Sequence, residues 1–143
     1  MFSLFSSKNQ KLVQKWQKEH EKIVELAHKV LGEYAKNNYS EAKKALKELN
    51  SFAVDHIMNE DIEFYKLMHD EKRIDLKTEV LVDDFIKSFK KTKLALMSFL
   101  SKYSKDETPL DETFFTQFNE IIEVLAERID FEERNLYSKL KEG

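Results

Sequence analysis

The chain has 143 residues, with 24 Lys and Arg against 27 Asp and Glu, a formal net charge of −3, 2 glycines, 1 proline and no cysteine. A chain of this length can bury most of its surface in one domain, so a single domain over residues 1–143 is expected. Disulfides and thiolate metal sites are excluded, and the interspersed charges leave neither a basic stripe for nucleic acid nor a polybasic tract for a membrane.

The opening MFSLFSSK lacks the basic start and long apolar core of a signal peptide, so a cytoplasmic location is the expectation. The triplet NYS at Asn38 to Ser40 matches a glycosylation acceptor, read as chance in the absence of a secretion signal. Phe2, Leu4 and Phe5 are expected to cover one end of the domain.

Scarce glycine and proline amid abundant Glu, Lys, Leu and Ala point to long helices. The pattern predicts four, over about 8–36, 40–69, 75–103 and 110–141, with Ser40 and Asp75 as N-caps and Asp111 with Glu112 at the start of the last. Each spans about 45 Å, and the short connections imply antiparallel neighbours. The expected fold is therefore all-α, an up-down-up-down antiparallel four-helix bundle.

Each helix shows a buried seam, and the interruptions of that seam carry the chemistry. In the first helix Val13, Trp16, His20, Ile23, Ala27, Val30 and Tyr34 recur at bundle spacing, and His20 alone is polar among the nonaromatic positions. The second reads Ala42, Leu46, Leu49, Ala53, His56, Glu60, with His56 and Glu60 breaking the stripe. In the third, Ser88 and Thr92 offer hydroxyls at the matching depth and no histidine. The fourth carries FFTQF (Phe114 to Phe118) as core, then RIDFEERNLY (Arg128 to Tyr137), which sets beside HIMNEDIEFY (His56 to Tyr65). That alignment pairs Arg128 with His56, Glu132 with Glu60, Glu133 with Asp61 and Tyr137 with Tyr65.

Counting from the helix ends brings His20, His56, Glu60, Arg128 and Glu132 to one height. Burying such a layer demands that every member be paired or bind a metal. Two arrangements meet that demand. His20, His56, Glu60 and Glu132 can surround a divalent ion, since imidazole with carboxylate suits iron, manganese or zinc. Alternatively, Arg128 can take the ion's place in a bidentate pair with Glu60 or Glu132. His28 and His69 are not expected to be ligands, Trp16 and the two tyrosines read as packing residues, and Asp61 and Glu133 read as solvated.

With these residues in view, the chain resembles hemerythrin-like (HHE) domains over nearly its whole length. The resemblance implies a four-helix bundle with a non-haem iron site, His20 filling the first helix's role, His56 and Glu60 the second's, and Glu132 the fourth's carboxylate. Arg128 departs from that pattern where a fourth-helix histidine would stand, and Ser88 or Thr92 departs from it in the third. The reading is thus a partial, mononuclear or vacant iron site that responds to oxygen or another small diatomic ligand. The segments LVQKW (Leu12 to Trp16), VDHIMNEDIEFY (Val54 to Tyr65) and ERIDFEE (Glu127 to Glu133) are also similar to the Rsd/AlgQ anti-sigma regulators. That second resemblance implies a metal-free regulator that binds a protein partner such as a sigma factor. No nucleophile–base pair or glycine-rich phosphate loop is present, so a binding or sensing module is expected rather than an enzyme.

Overall fold

The computed structural model describes residues 4–68 and 76–137, with side chains described from residue 10 onward except those of 64, 65, 67, 68 and 78. All regular structure among these residues is helical: α1 (Leu4–Ala35), α2 (Tyr39–Met68), α3 (Leu76–Ser88), α4 (Lys90–Ser104) and α5 (Glu112–Phe131), the last continued by a π-helical turn at Glu132–Leu136. The expected all-α class is met, but with five helices, because the predicted third helix is divided at Phe89. That residue has φ −93° and ψ 1°, well away from the helical ψ of about −42°. Its N–H still donates to the Phe85 carbonyl at 3.1 Å, and Lys93 N–H donates to the Phe89 carbonyl at 2.8 Å, so backbone bonding runs across the break.

The helix ends follow from local chemistry. Asn37, at φ 64°, takes the left-handed conformation that asparagine tolerates. It closes α1 with paired bonds from Asn38 N–H to Glu33 O (2.9 Å) and from Asn37 N–H to Tyr34 O (3.0 Å). The chain re-enters a helix at once, and Ala42 N–H donates to Asn38 O at 2.9 Å. Ser40, expected as the N-cap, therefore lies inside the first turn of α2. Asp111, expected as an acid at the positive end of the last helix, is its N-cap, the side chain accepting from Phe114 N–H at 2.9 Å. The ends placed at His69, Asp75 and Lys141 fall outside the described residues, as do the side chains of Phe2, Leu4, Phe5 and Tyr65.

Lys43 ties the α4–α5 connection to α2 by donating to the carbonyls of Tyr103, Lys105 and Thr108 at 2.6, 2.7 and 2.5 Å. α1 packs along α2, α2 also meets α3 and α4, α4 meets α5, and α3 meets the π-helical turn. No helix among the described residues is long and apolar enough to cross a membrane.

Two apolar clusters form the interior. The larger gathers Ile23, Leu26, Val30, Leu46, Leu49, Leu100, Phe114 and Phe118. The smaller gathers Val13, Trp16, Val82, Phe85, Leu136 and Tyr137. In FFTQF, Phe114 and Phe118 are buried while Phe115 is exposed, as a four-residue helical repeat requires. Between the two clusters, on α1, α2, α5 and the π-helical turn, the apolar residues give way to His20, His56, Glu60, Arg128 and Glu132. Phe114 stacks on Phe118 and Phe99, so Phe114→Ala is expected to lower unfolding stability by about 3–5 kcal/mol in urea titration. A loss below about 1 kcal/mol would show that this cluster does not hold the fold.

Candidate metal centre

The polar layer is built from α1, α2, α5 and the π-helical turn. His20, His56, Glu60, Arg128 and Glu132 are each 6% exposed or less. One ligand-capable atom from each of His20, His56, Glu60 and Glu132 lies within 4.8 Å of all the others.

Both imidazoles are held from outside the cluster by acceptor-only carboxylates. His20 Nδ1–H donates to Glu133 Oε2 at 2.8 Å, and His56 Nδ1–H donates to Glu19 Oε1 at 2.6 Å. Fixing Nδ1 as the donor turns each Nε2 inward. His20 Nε2 then stands 3.1 Å from Glu132 Oε1, and His56 Nε2 stands 2.8 Å from Glu60 Oε1. The second contact joins residues one turn apart on α2 and makes no hydrogen bond. His56 Nε2, Glu60 Oε1, Glu132 Oε2 and Arg128 Nη2 are consequently buried without a hydrogen-bond partner. The imidazole nitrogen and the two carboxylate oxygens among them are the lone-pair atoms that a cation needs, and unpaired each is costly to bury.

Arg128 does not complete the cluster as a bidentate partner. Its guanidinium stays 3.8 Å from Glu60, 3.6 Å from Asp61 and 3.5 Å from Glu132, beyond hydrogen-bond range. It lies over the rings of Phe85 and Phe89, at 5.0 and 5.8 Å from their centroids. The guanidinium thus supplies charge and leaves the carboxylate lone pairs unoccupied.

Residues 11–140 match the family described as Hemerythrin HHE cation binding domain. The chain belongs to the hemerythrin HHE cation-binding family. No curated protein and no solved structure matches it, and the resemblance to the Rsd/AlgQ regulators finds no support among these comparisons.

Electrostatics within this HHE domain separates the four groups. Burial, opposed by hydrogen bonding to Glu133, lowers the His20 pKa below its ordinary 6.5 and favours neutral imidazole. Burial acts the same way on His56, but its contacts with Glu60 and Glu19 outweigh that and raise its pKa. For Glu60, burial would raise the pKa, yet the close contact and charge of His56, with Arg128 beyond, hold it well below the usual carboxylate range. Burial and then the Glu60 charge push Glu132 well above that range. Of these two coupled carboxylates, Glu132 is the one that holds a proton more tightly.

Several contributors to the layer were not apparent from the pattern. Tyr137 is buried as a packing residue, as expected, but its hydroxyl reaches the layer, donating to Glu60 Oε2 at 2.6 Å, with its oxygen 3.2 Å from His20 Nε2. Asp61 and Glu133, expected to be solvated, hold Lys93 Nζ at 2.6 Å and His20 respectively. Glu19 escaped notice altogether. The available signal was the doubled acids Glu60-Asp61 and Glu132-Glu133, each pairing an inward carboxylate with one that faces a neighbouring helix. Ser88 corrects the expectation made for it: it is exposed, and its hydroxyl donates to Phe85 O at 3.1 Å. The break at Phe89 brings Phe85 and Phe89 to the layer instead, and Thr92 is half-buried outside the ligand-capable set. His28 is exposed as expected, and His69 lies outside the described residues.

These shifts fix a pH dependence for the metal-free protein. His56 and Glu132 bind protons more tightly when folded than when unfolded, so their stabilisation is full at low pH and is lost as pH rises through their folded values. His20 acts oppositely, but its effect is complete once pH exceeds its ordinary 6.5. As pH rises above the ordinary histidine value of 6.5 the protein in chelator should therefore lose thermal stability, and Glu132→Gln should flatten that slope. A melting temperature that rises over this range would contradict the assignment.

Proposed function

We propose that the layer binds one divalent iron ion, with His20 and His56 as imidazole ligands and Glu60 and Glu132 as charge-balancing carboxylates. The observation that carries this reading is the convergence of four buried ligand atoms within 4.8 Å, several lacking any hydrogen-bond partner. Imidazole with carboxylate suits iron, manganese and zinc, and the hemerythrin relationship favours iron among them.

A mononuclear site is supported by size and charge. The cavity bordered by His20, His56, Arg128 and Glu132 measures about 10 Å³, on the order of one water-sized sphere. Arg128 adds a permanent positive charge beside Glu60, Asp61 and Glu132, which repels a second cation. Further support comes from the outer carboxylates, because Glu19 and Glu133 hold the two rings with their Nε2 atoms inward before any ion arrives. Tyr137 orients the Glu60 carboxylate, and Ile23, Ile57 and Leu125 keep the cavity dry.

When bound, iron supplies Lewis acidity and one-electron redox chemistry toward a small diatomic ligand such as oxygen. In this reading the chain is a binding or sensing module of the cytoplasm. The architecture is read as an up-down-up-down bundle in which α3 and α4 are two halves of one arm, supported by the backbone bonds that cross Phe89.

Metal content and melting temperature test the site together. Protein loaded with ferrous iron and desalted should retain about one equivalent. A free ion at about a hundred times its dissociation constant should add about 2.7 kcal/mol of stability. His56→Ala should abolish both. Arg128→His should raise retained metal above one equivalent, since it replaces a repelling charge with an imidazole. Retention below about a tenth of an equivalent in the unaltered chain would overturn the proposal.

A further inference from the structure

On the surface between α1 and α5 lies a cleft of about 520 Å³, lined by Gln17, His20, Glu21, Val24, Ile129 and Glu133. The small cavity among the orphaned ligand atoms is also walled by His20 and Ile129. Cleft and cavity thus meet at the same two side chains from opposite sides. The clefts at Lys43 to Pro109, of about 580 Å³, and between α4 and α5, of about 490 Å³, share no residue with that cavity.

The two approaches to the layer differ in charge. Glu21 and Glu133 give the α1–α5 cleft two carboxylates, and no lysine or arginine among the described residues lines it. On the α2–α4 side, Lys93 Nζ sits 2.6 Å from Asp61, and the Arg128 guanidinium lies 3.6 Å from the same carboxylate. A cation approaching there meets two positive groups, whereas at the α1–α5 cleft it meets two negative ones. Within the layer, Glu132 Oε2 and His56 Nε2 are both buried, and neither has a hydrogen-bond partner.

We infer that a divalent cation loads the layer through the α1–α5 cleft, with Ile129 as the steric gate beside His20 and Glu21 as an attracting charge at the mouth. The inference rests on the metal-site reading above. His20 is clamped through Glu133, so its ring is the fixed side of the passage. Ile129 is half-buried, and the structure gives its branched side chain no polar tether, so rotation of that side chain widens the opening. Glu21 is exposed and is not among the ligand-capable four. It acts on the rate of arrival and leaves the affinity of the bound state nearly unchanged.

Stopped-flow mixing of the metal-free full chain with cobalt(II) alone, followed through the visible bands of the bound ion, separates rate from affinity. Ile129→Trp should slow association by about tenfold or more, Ile129→Ala should quicken it, and both should leave the equilibrium constant within about threefold of the unaltered chain. Glu21→Lys should slow association several-fold at low salt, with the difference fading as ionic strength rises. Association rates unchanged in both Ile129→Ala and Glu21→Lys would overturn the route while leaving the metal site standing. Absence of cobalt binding by the unaltered chain would overturn the site and the route with it.

Discussion

Taking five ionisable side chains out of water in one layer is the constraint that the rest of this protein answers. An isolated buried carboxylate or imidazolium costs several kcal/mol, and the mutual attraction of such groups repays that only when geometry and hydrogen bonds are good. Here the compensation is partial by design. The outward nitrogens of His20 and His56 are satisfied by Glu133 and Glu19, and one oxygen of Glu60 is satisfied by Tyr137. The inward atoms of His56 and Glu60, with one oxygen of Glu132, are left unpaired. A layer satisfied on its rim and unsatisfied at its centre is stable in proportion to what fills that centre.

The apolar clusters on either side make this tolerable. Trp16 stacks on Tyr137 with centroids 5.5 Å apart, and Tyr137 in turn lies parallel to the His20 ring at 5.7 Å, so the smaller cluster presses directly on the layer. Phe85, Phe89 and Phe131 form a second aromatic wall that receives Arg128. Rigid rings on both faces restrict how far the ligand-capable side chains can relax, which is why their orphaned atoms persist instead of collapsing on one another. Arg128 fits this frame as a spectator charge: it lowers the energy of three nearby carboxylates without entering hydrogen bonds that would tie up their lone pairs.

The seam spacing carried much of this in advance. His20, His56, Glu60 and Glu132 stand out because a polar residue at a position reserved for leucine or alanine violates the helical period, and that violation is visible without coordinates. Glu19, Asp61 and Glu133 were illegible for the converse reason. They occupy positions one residue off the seam, where an acidic residue is ordinary, and only the crossing of helices shows that each faces a partner. Tyr137 packs as its position suggests, but the reach of its hydroxyl to Glu60 was illegible, because the backbone widens into a π-helical turn at Glu132–Leu136 just before it. Ser88 was misplaced by the assumption of one straight helix; the break at Phe89 substitutes aromatic rings for hydroxyls at the depth of the layer.

The central claim is that the layer holds a single ion ligated by both histidines. X-ray absorption at the iron edge of the loaded protein tests it most directly. The account predicts imidazole scattering from two rings, a first shell completed by oxygen, and no metal–metal vector at about 3.5–4 Å. A strong metal–metal vector at that distance, or a first shell without imidazole, would contradict it.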